Sequence, residues 1–537
     1  MIYQRNCILN NCRTKGIDGM GEPAAKIAMP VKSVKGVKPG DLRDYILSRR
    51  TPEMVIAFCG AVGSGVSTVT TEFKNLMEAS PYGYRVERIK VSDLIVKAEK
   101  SQEKLAKLPA LFREASPRAT KTAKLQDLGD ALRQEFSYDI LAQLVISDIA
   151  SKRVTGGHIS EAGREKLLKG EEPREEVRTV WLVDSFKHPD EVKTLRCVYG
   201  SMFYLVGVLC PVNTRAARLK RKGMTDGEVG VILERDTSEP FDYGQKLIDT
   251  IHMSDFFINN GRENLDPIRT SIQRYIAILF GKLVTPTLEE YAMYVAQSAA
   301  YNSGCLSRQV GAAIMAGDGC IISYGYNDVP KCGGGLYCSS DSPDNRCYNT
   351  VDKCRSESEK DSIKEKIKGV LTAAGLKKEE KIQDVITTTA LKSEDIEALL
   401  SKLYKVSGIK NLTEFSKAVH AEMDAIIKVA RKAIGGLEGC KMFVTTYPCH
   451  NCAKHIVAAG IGSVVYIEPY EKSLAIKLHD DSITSDPDAG EGKVKFIPFD
   501  GVAPRQFQNF FVIHGERKDE TVKVPSNKIL PISEKFR

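Results

Sequence analysis

His420 and Glu422 stand two positions apart, upstream of Pro448-Cys449-His450-Asn451-Cys452. One imidazole and two thiolates supply three of the four ligands that zinc usually takes, which leaves a position for water, whereas structural zinc sites are closed by four protein ligands. Zn²⁺ held by His420, Cys449 and Cys452 would lower the pKa of a bound water toward neutrality. Glu422, not needed as a ligand, can then accept the water's proton, pass it to a ring nitrogen of a substrate and protonate a departing amine. A closed structural knuckle would need His450 or His455 as the fourth ligand. The carboxylate two residues beyond His420 favours the catalytic alternative.

Residues spaced i, i+2 point in different directions on the middle of a helix, so His420 and Glu422 belong at a first turn. A helix over Met423–Ala430 and a second over Ala453–Ala459 would bring two N-termini toward one ion. The partial positive charge of those termini favours thiolates and hydroxide.

A second motif lies near the start. Met54–Cys59 reads as a buried strand that runs into Gly60-Ala61-Val62-Gly63-Ser64-Gly65-Val66-Ser67-Thr68, followed by a helical pattern. Strand, glycine loop and helix form the layout of a P-loop. Gly60, Gly63, Ser64 and Gly65 would place backbone N–H groups around phosphates, and Ser67 or Thr68 would reach Mg²⁺. Val66 stands where a working loop has lysine, the cation that stabilises a transferring phosphate. Asp184 takes the place of a second magnesium-binding acid, and Arg215, Arg218 and Arg221 are arranged like a basic lid. The expectation is a kinase-like domain that binds a regulatory nucleotide or offers an assembly surface, without phosphoryl transfer.

At 537 residues the chain exceeds one hydrophobic core. Its 42% apolar and 27% charged residues are ordinary for a globular protein, and a net charge of +8 selects no class of partner. No apolar run approaches the roughly 20 residues that span a bilayer, so no membrane partner and a cytoplasmic location are expected. Residues 1–40 read as a disordered tail. Strand signals at Met54–Cys59, Thr179–Val183, Met202–Leu209 and Ser254–Asn260, alternating with helices, predict a parallel α/β sheet over residues 41–283. Residues 284–537 form the second expected domain, an α-β-α sandwich. Thr287 can cap its first helix, Val310–Met315 and Cys320–Tyr324 read as a hairpin around Asp318-Gly319, and 350–415 read as a helical insertion. Beyond the metal motif the sequence predicts a strand at Val464–Ile467, a helix from about Lys472 and a strand at Val494–Pro498.

The metal motif is similar to the H-x-E…P-C-x-x-C signature of zinc nucleobase deaminases. More narrowly, Tyr294–Pro330, with Ser303–Ile314 and Gly325–Pro330, resembles the opening half of deoxycytidylate deaminases. His420–Ile426 and Pro448–Ile461 resemble the second half. That resemblance implies that Asn327 bonds a deoxyribose and that Arg308 lies near a phosphate. Asp328 replaces the family's usual glycine. Some members carry a second, structural Zn²⁺ in this region, for which Cys305, Cys332 and Cys338, with Cys347 and Cys354, are available; free buried thiols are the alternative. Six of the 14 cysteines fall between Cys305 and Cys354.

A kinase-like half lacking its lysine, joined to a deoxycytidylate-deaminase half, resembles bacterial antiphage deoxycytidine-nucleotide deaminases. The resemblance implies hydrolysis of dCTP or dCMP to the deoxyuridine nucleotide, a homo-oligomer such as a hexamer, and inhibition by a small RNA until infection. The rival readings are a polynucleotide cytosine deaminase and a nucleotide-sensing scaffold. The first needs aromatic platforms for bases, yet the chain has one Trp, Trp181, outside the second half.

Overall fold

A computed structural model describes residues 53–101, 121–156, 178–237, 244–280, 282–351, 353–373, 377–382, 385–390, 392–406, 409, 415–432, 435–470 and 473–512. The expected tail, 1–40, lies outside them. The described strands form two six-stranded sheets and one two-stranded hairpin, a mixed α/β fold in which parallel pairs predominate in both sheets.

The first sheet contains β1 (Glu53–Gly60), β2 (Arg85–Lys90), β3 (Thr179–Phe186), β4 (Phe203–Leu209) and β5 (Phe256–Asn259). Its order runs β5-β4-β1-β3-β2, all parallel. β1 and β4 are buried on both faces, which is why they read as unbroken apolar runs. β2, an edge strand of sequence RVERIK, carries no such signal. The helices that matter below are α1 (Val66–Glu78), α2 (Asp226–Thr237), α3 (Leu247–His252) and α4 (Asp266–Leu279). The glycine loop leaves β1 between β3 and β4, at the switch point where open α/β sheets hold ligands beyond their carboxyl ends.

The second half opens with α5 (Leu288–Ala300). Thr287 accepts a hydrogen bond from the Glu290 N–H at 3.1 Å, and the Glu290 carboxylate accepts one from the Thr287 N–H at 2.7 Å, a complete capping box. β6 (Gly311–Met315) and β7 (Ile321–Tyr326) form the hairpin. The insertion holds α6 (Arg355–Ala373) and α7 (Ser393–Val406), and between them a hairpin, β8 (Lys377–Ile382) with β9 (Val385–Ala390). That hairpin is an addition to the helical reading. The β-branched run Val385-Ile-Thr-Thr-Thr389 favours a strand, but the Lys/Glu stretch beside it reads as helix. Then come α8 (Ala421–Lys432), β10 (Lys441–Thr446), α9 (His450–Ala458), β11 (Ser463–Glu468), β12 (Ile483–Thr484) and β13 (Val494–Pro498). The sheet order is β12-β13-β11-β10-β6-β7. The helix expected from about Lys472 is only one turn, Ala475–Leu478.

The last strand, β14 (Gly501–Val502), does not join the second sheet. It pairs antiparallel with β5 at the edge of the first. Asp500, just before it, accepts hydrogen bonds from the Asn259 N–H (2.9 Å), Ser271 Oγ (2.6 Å) and Tyr275 OH (3.0 Å). Phe510 then stacks on Phe256, with ring centroids 5.1 Å apart. One buried cluster spans the two halves, containing Val55 and Trp181 of the first sheet, Ala292 and Ala296 of α5, and Phe443 and Val465 of the second sheet.

Candidate active site

Two close helix–strand approaches position the site. An added Cβ on Gly325 in β7 would lie 2.2 Å from the Ala421 carbonyl oxygen, and one on Gly311 in β6 would lie 1.9 Å from that of Ala296. Only glycine lets the first turn of α8 rest directly on β7. That turn carries Glu422. On the next helix, Cys449 is the N-cap of α9, where its sulfur accepts from the Cys452 N–H at 3.5 Å. The two helices present their N-termini to one point.

There the His420 Nδ1 lies 3.4 Å from Cys449 Sγ and 3.3 Å from Cys452 Sγ. All three ligand atoms lie within 4.8 Å of one another. A tetrahedron built from usual Zn–S and Zn–N bond lengths has an N···S edge of about 3.5 Å, so this donor set fits zinc in both chemistry and spacing. The cluster shares charge internally. Cys449 is pulled down to about 4 by its bond from Cys452, against burial and with help from His420. His420 is raised to about 9 by the bond to Cys449, and Cys452 is pushed well up by the neighbouring sulfur and by burial. Glu422 is 4% exposed, and burial raises its carboxyl above the ordinary range, with Cys452 within hydrogen-bonding reach. A buried carboxyl with a raised pKa is suited to carrying a proton back and forth near neutral pH. His455 is turned away, its Nδ1 2.7 Å from the Asn451 carbonyl.

His420, Glu422 and Cys449 line one cavity of about 440 Å³, together with Asn327, Arg308, Tyr447 and Tyr470. Asn327 is itself held on both sides: its Oδ1 accepts from the Val310 N–H at 2.7 Å and its Nδ2 donates to the Arg308 carbonyl at 2.8 Å. One N–H and one lone pair remain for a ligand. Arg308 donates to Glu468 at 2.5 Å. Asp328 is buried and accepts from the Gly304 N–H at 2.9 Å, so it anchors the loop before Arg308. The insertion also reaches the cavity, through Arg355 and Lys360, and Lys417 just beyond it lines the cavity too, a contribution that the sequence did not signal.

The cysteines expected at a second metal are not gathered. Among the described residues, the cluster around His420 is the group whose ligand atoms come together. Cys305 lines the cavity with Cys347 and Cys354, whereas Cys332 is exposed and Cys338 sits 3.0 Å from Ser340 Oγ. The segment from Gly333 to Gly335 has positive φ throughout, and this turn carries the chain between Cys332 and Cys338.

The glycine loop has the backbone of a phosphate cradle, with Gly63 at φ 83° and Gly65 at φ 81°. Its contacts, however, are made by the protein itself. The Val62 N–H donates to Asp236 of α2, and Lys187 donates to both the Gly60 carbonyl (2.7 Å) and Asp236 (2.8 Å). Ser64 is buried, and Asn260 donates to its carbonyl at 2.7 Å. Ser67 donates to Asp184 at 2.9 Å, and Arg88 donates to the same carboxylate oxygen at 2.7 Å, so the acid expected to serve magnesium is paired with a protein cation. Thr68 is exposed and Val66 packs into the core beneath. Of the arginines expected as a lid, Arg215 is buried, Arg218 reaches Asn260 and the Ser64 carbonyl at 3.5 Å each, and Arg221 pairs with Glu263.

Comparison with known proteins bears on the second half. Residues 286–468 match the family model of the cytidine and deoxycytidylate deaminase zinc-binding region. The deoxycytidylate deaminase of Enterobacteria phage T2 is 46% identical over 55 residues, 10% of this chain and 29% of that protein. ComE operon protein 2 of Bacillus subtilis is 39% identical over 56 residues, again 10% of this chain and 29% of that protein. The chain thus spans less than a third of either relative. Among solved structures, the dCMP deaminase of cyanophage S-TIM5 in complex with dCMP and dUMP covers 40% of this chain and 99% of its own, at 19% identity and a TM-score of 0.22. Shikimate kinase from Acinetobacter baumannii covers 43% of this chain and 96% of its own, at 10% identity and a TM-score of 0.24.

Proposed function

We propose that this protein hydrolytically deaminates a free deoxycytidine nucleotide, dCMP or dCTP, to the deoxyuridine nucleotide and ammonia. The observation that carries the reading is the buried Glu422 carboxyl beside His420, Cys449 and Cys452, in the cavity that also holds Asn327 and Arg308. Zinc held by those three residues supplies Lewis-acid activation of water. Glu422 takes one proton from the attacking water and delivers it to the ring nitrogen beside the amine. It then takes the remaining proton of the hydroxyl added to the ring carbon and delivers it to the amino group; the C–N bond breaks as the C=O forms, and ammonia leaves. Asn327, fixed on both sides, orients the sugar, and Arg308 meets the phosphate. Burial of the site keeps Glu422 exchanging protons with substrate and not with bulk solvent.

The first half serves this reading without phosphoryl transfer, as a nucleotide-sensing or assembly domain. Val66 in the core, and Lys187 and Asp236 in the cradle, support the absence of phosphoryl transfer. The sequence resemblance extends the proposal to depletion of deoxycytidine nucleotides during phage infection, by a cytoplasmic homo-oligomer held inactive beforehand by a small RNA. Incubation with dCMP, dCTP and cytosine-containing single-stranded DNA, followed by chromatography of the products, tests the central point. Deoxyuridine nucleotides are expected from the free nucleotides, and conversion confined to DNA would replace this reading with polynucleotide editing.

A further inference from the structure

Arg308 lines the cavity, its carbonyl bonded to Asn327, and its side chain is 47% exposed. A long side chain this free keeps much of its rotamer entropy unless something holds it. What holds it is Glu468, whose side chain is 6% exposed and whose Oε1 lies 2.5 Å from Arg308 Nη1. Glu468 ends β11, opposite Thr446 at the end of β10. Its other oxygen, Oε2, is occupied twice: Thr446 Oγ1 donates to it at 3.1 Å, and His252 Nε2 lies 3.1 Å away. His252 is the last residue of α3, in the half of the chain that carries the glycine loop. A buried carboxylate thus takes one bond from a cavity arginine, one from its own sheet and one from the other half. Burial alone would raise this carboxyl; His252, Arg308 and Thr446 together hold it below the ordinary value, so it is ionised.

We propose that Glu468 is a positioning residue that aims the Arg308 guanidinium at a substrate phosphate, and that His252 steadies Glu468 from the first half. This rests on the deaminase reading above. With Nη1 committed to Glu468, the planar fork of this cavity-lining residue is fixed in direction and its other N–H groups are left for a phosphate, the preorganisation that phosphate recognition by arginine requires. The same three-way contact makes the aim of Arg308 depend on how α3 packs against β11. An ion pair that only joined the halves would have no reason to favour phosphorylated substrates.

The test measures kcat and KM for dCMP and for deoxycytidine in the full chain. Glu468→Ala is expected to lower the dCMP-to-deoxycytidine ratio of kcat/KM about tenfold, through KM for dCMP, as loss of a hydrogen bond to a charged group would. Glu468→Gln keeps an acceptor for Nη1 and should restore most of the ratio. His252→Ala should shift it in the same direction by a smaller factor. In an Arg308→Ala background, Glu468→Ala should change KM for dCMP no further, a result readable even if deoxycytidine turns over too slowly to measure. Equal losses on nucleoside and nucleotide, additive effects with Arg308→Ala, or a lower KM on removing the negative charge would each overturn the proposal. If Glu468→Ala unfolds, the isosteric Gln and the outlying His252→Ala still decide the outcome. An unaltered protein that converts neither substrate overturns the deaminase reading itself, a result distinct from the others.

Discussion

At the scale of single residues, the account divides labour between groups that hold zinc and one that moves protons. Replacing Glu422 with Gln removes the proton carrier and leaves the His420, Cys449 and Cys452 cluster intact. General acid–base groups contribute about 10²- to 10⁴-fold, so kcat should fall by that factor while metal content, measured by mass spectrometry, stays near one zinc per chain. Glu468 makes a different prediction. Its folded-state pKa is lowered by His252, Arg308 and Thr446 against the effect of burial, so its stabilising contribution is present above the unfolded value of about 4.3. It is lost as pH falls through the lower folded value. Melting temperatures of the parent and Glu468→Gln should therefore differ at pH 7 and converge as pH drops below that point. That His420, Cys449 and Cys452 come together beside Glu422 was legible because a zinc ligand set fixes both residue type and spacing. Asn327 and Arg308 came from the family resemblance. Glu468 and His252 were not legible, since no local spacing links two residues that meet only through packing of α3 on β11.

At the scale of elements, β7 and α8 form the critical pair. Gly325→Ala would drive a methyl group into the backbone of Ala421 and Ala425. Overpacking of this kind costs about 1–3 kcal/mol, and here relief means shifting the turn that carries Glu422. Both the melting temperature and kcat should fall, whereas Gly317→Ala, in open space, should leave both unchanged. The glycine loop makes the opposite point. Its pattern was visible in the sequence, but not that Asp236 and Lys187 would bond the loop's backbone or that Arg88 would pair with Asp184. Lys187 and Asp236 lie more than a hundred residues beyond the loop, where no local spacing reveals them. Because they occupy the cradle, Val66→Lys should not create phosphotransferase activity, as radiolabelled ATP with deoxynucleoside acceptors would show. The parallel strands β1 and β4 were readable from burial on both faces, while the polar edge strand β2 and the hairpin β8–β9 were not.

At the scale of the whole molecule, the two halves share an interior. β14 completes the edge of the first sheet, Asp500 takes three hydrogen bonds from β5 and α4, and Phe510 stacks on Phe256. Separating the chain at 283/284 would uncover that edge and the aromatic face beside it, an exposed template for aggregation. The isolated first half should be less soluble and melt lower than the intact chain. The first half would then act on the cavity through packing, with His252 as its contact to Glu468 and Arg308.

The central claim is that Glu422 works as the proton carrier of a zinc-dependent deaminase acting on free nucleotides. The most direct test compares the full chain with Glu422→Ala, measuring ammonia and deoxyuridine nucleotide from dCMP and dCTP alongside zinc content. The account predicts stoichiometric ammonia and product from the parent, and a variant that keeps its zinc and forms neither. A zinc-loaded Glu422→Ala protein that still releases ammonia at the parent rate would contradict it.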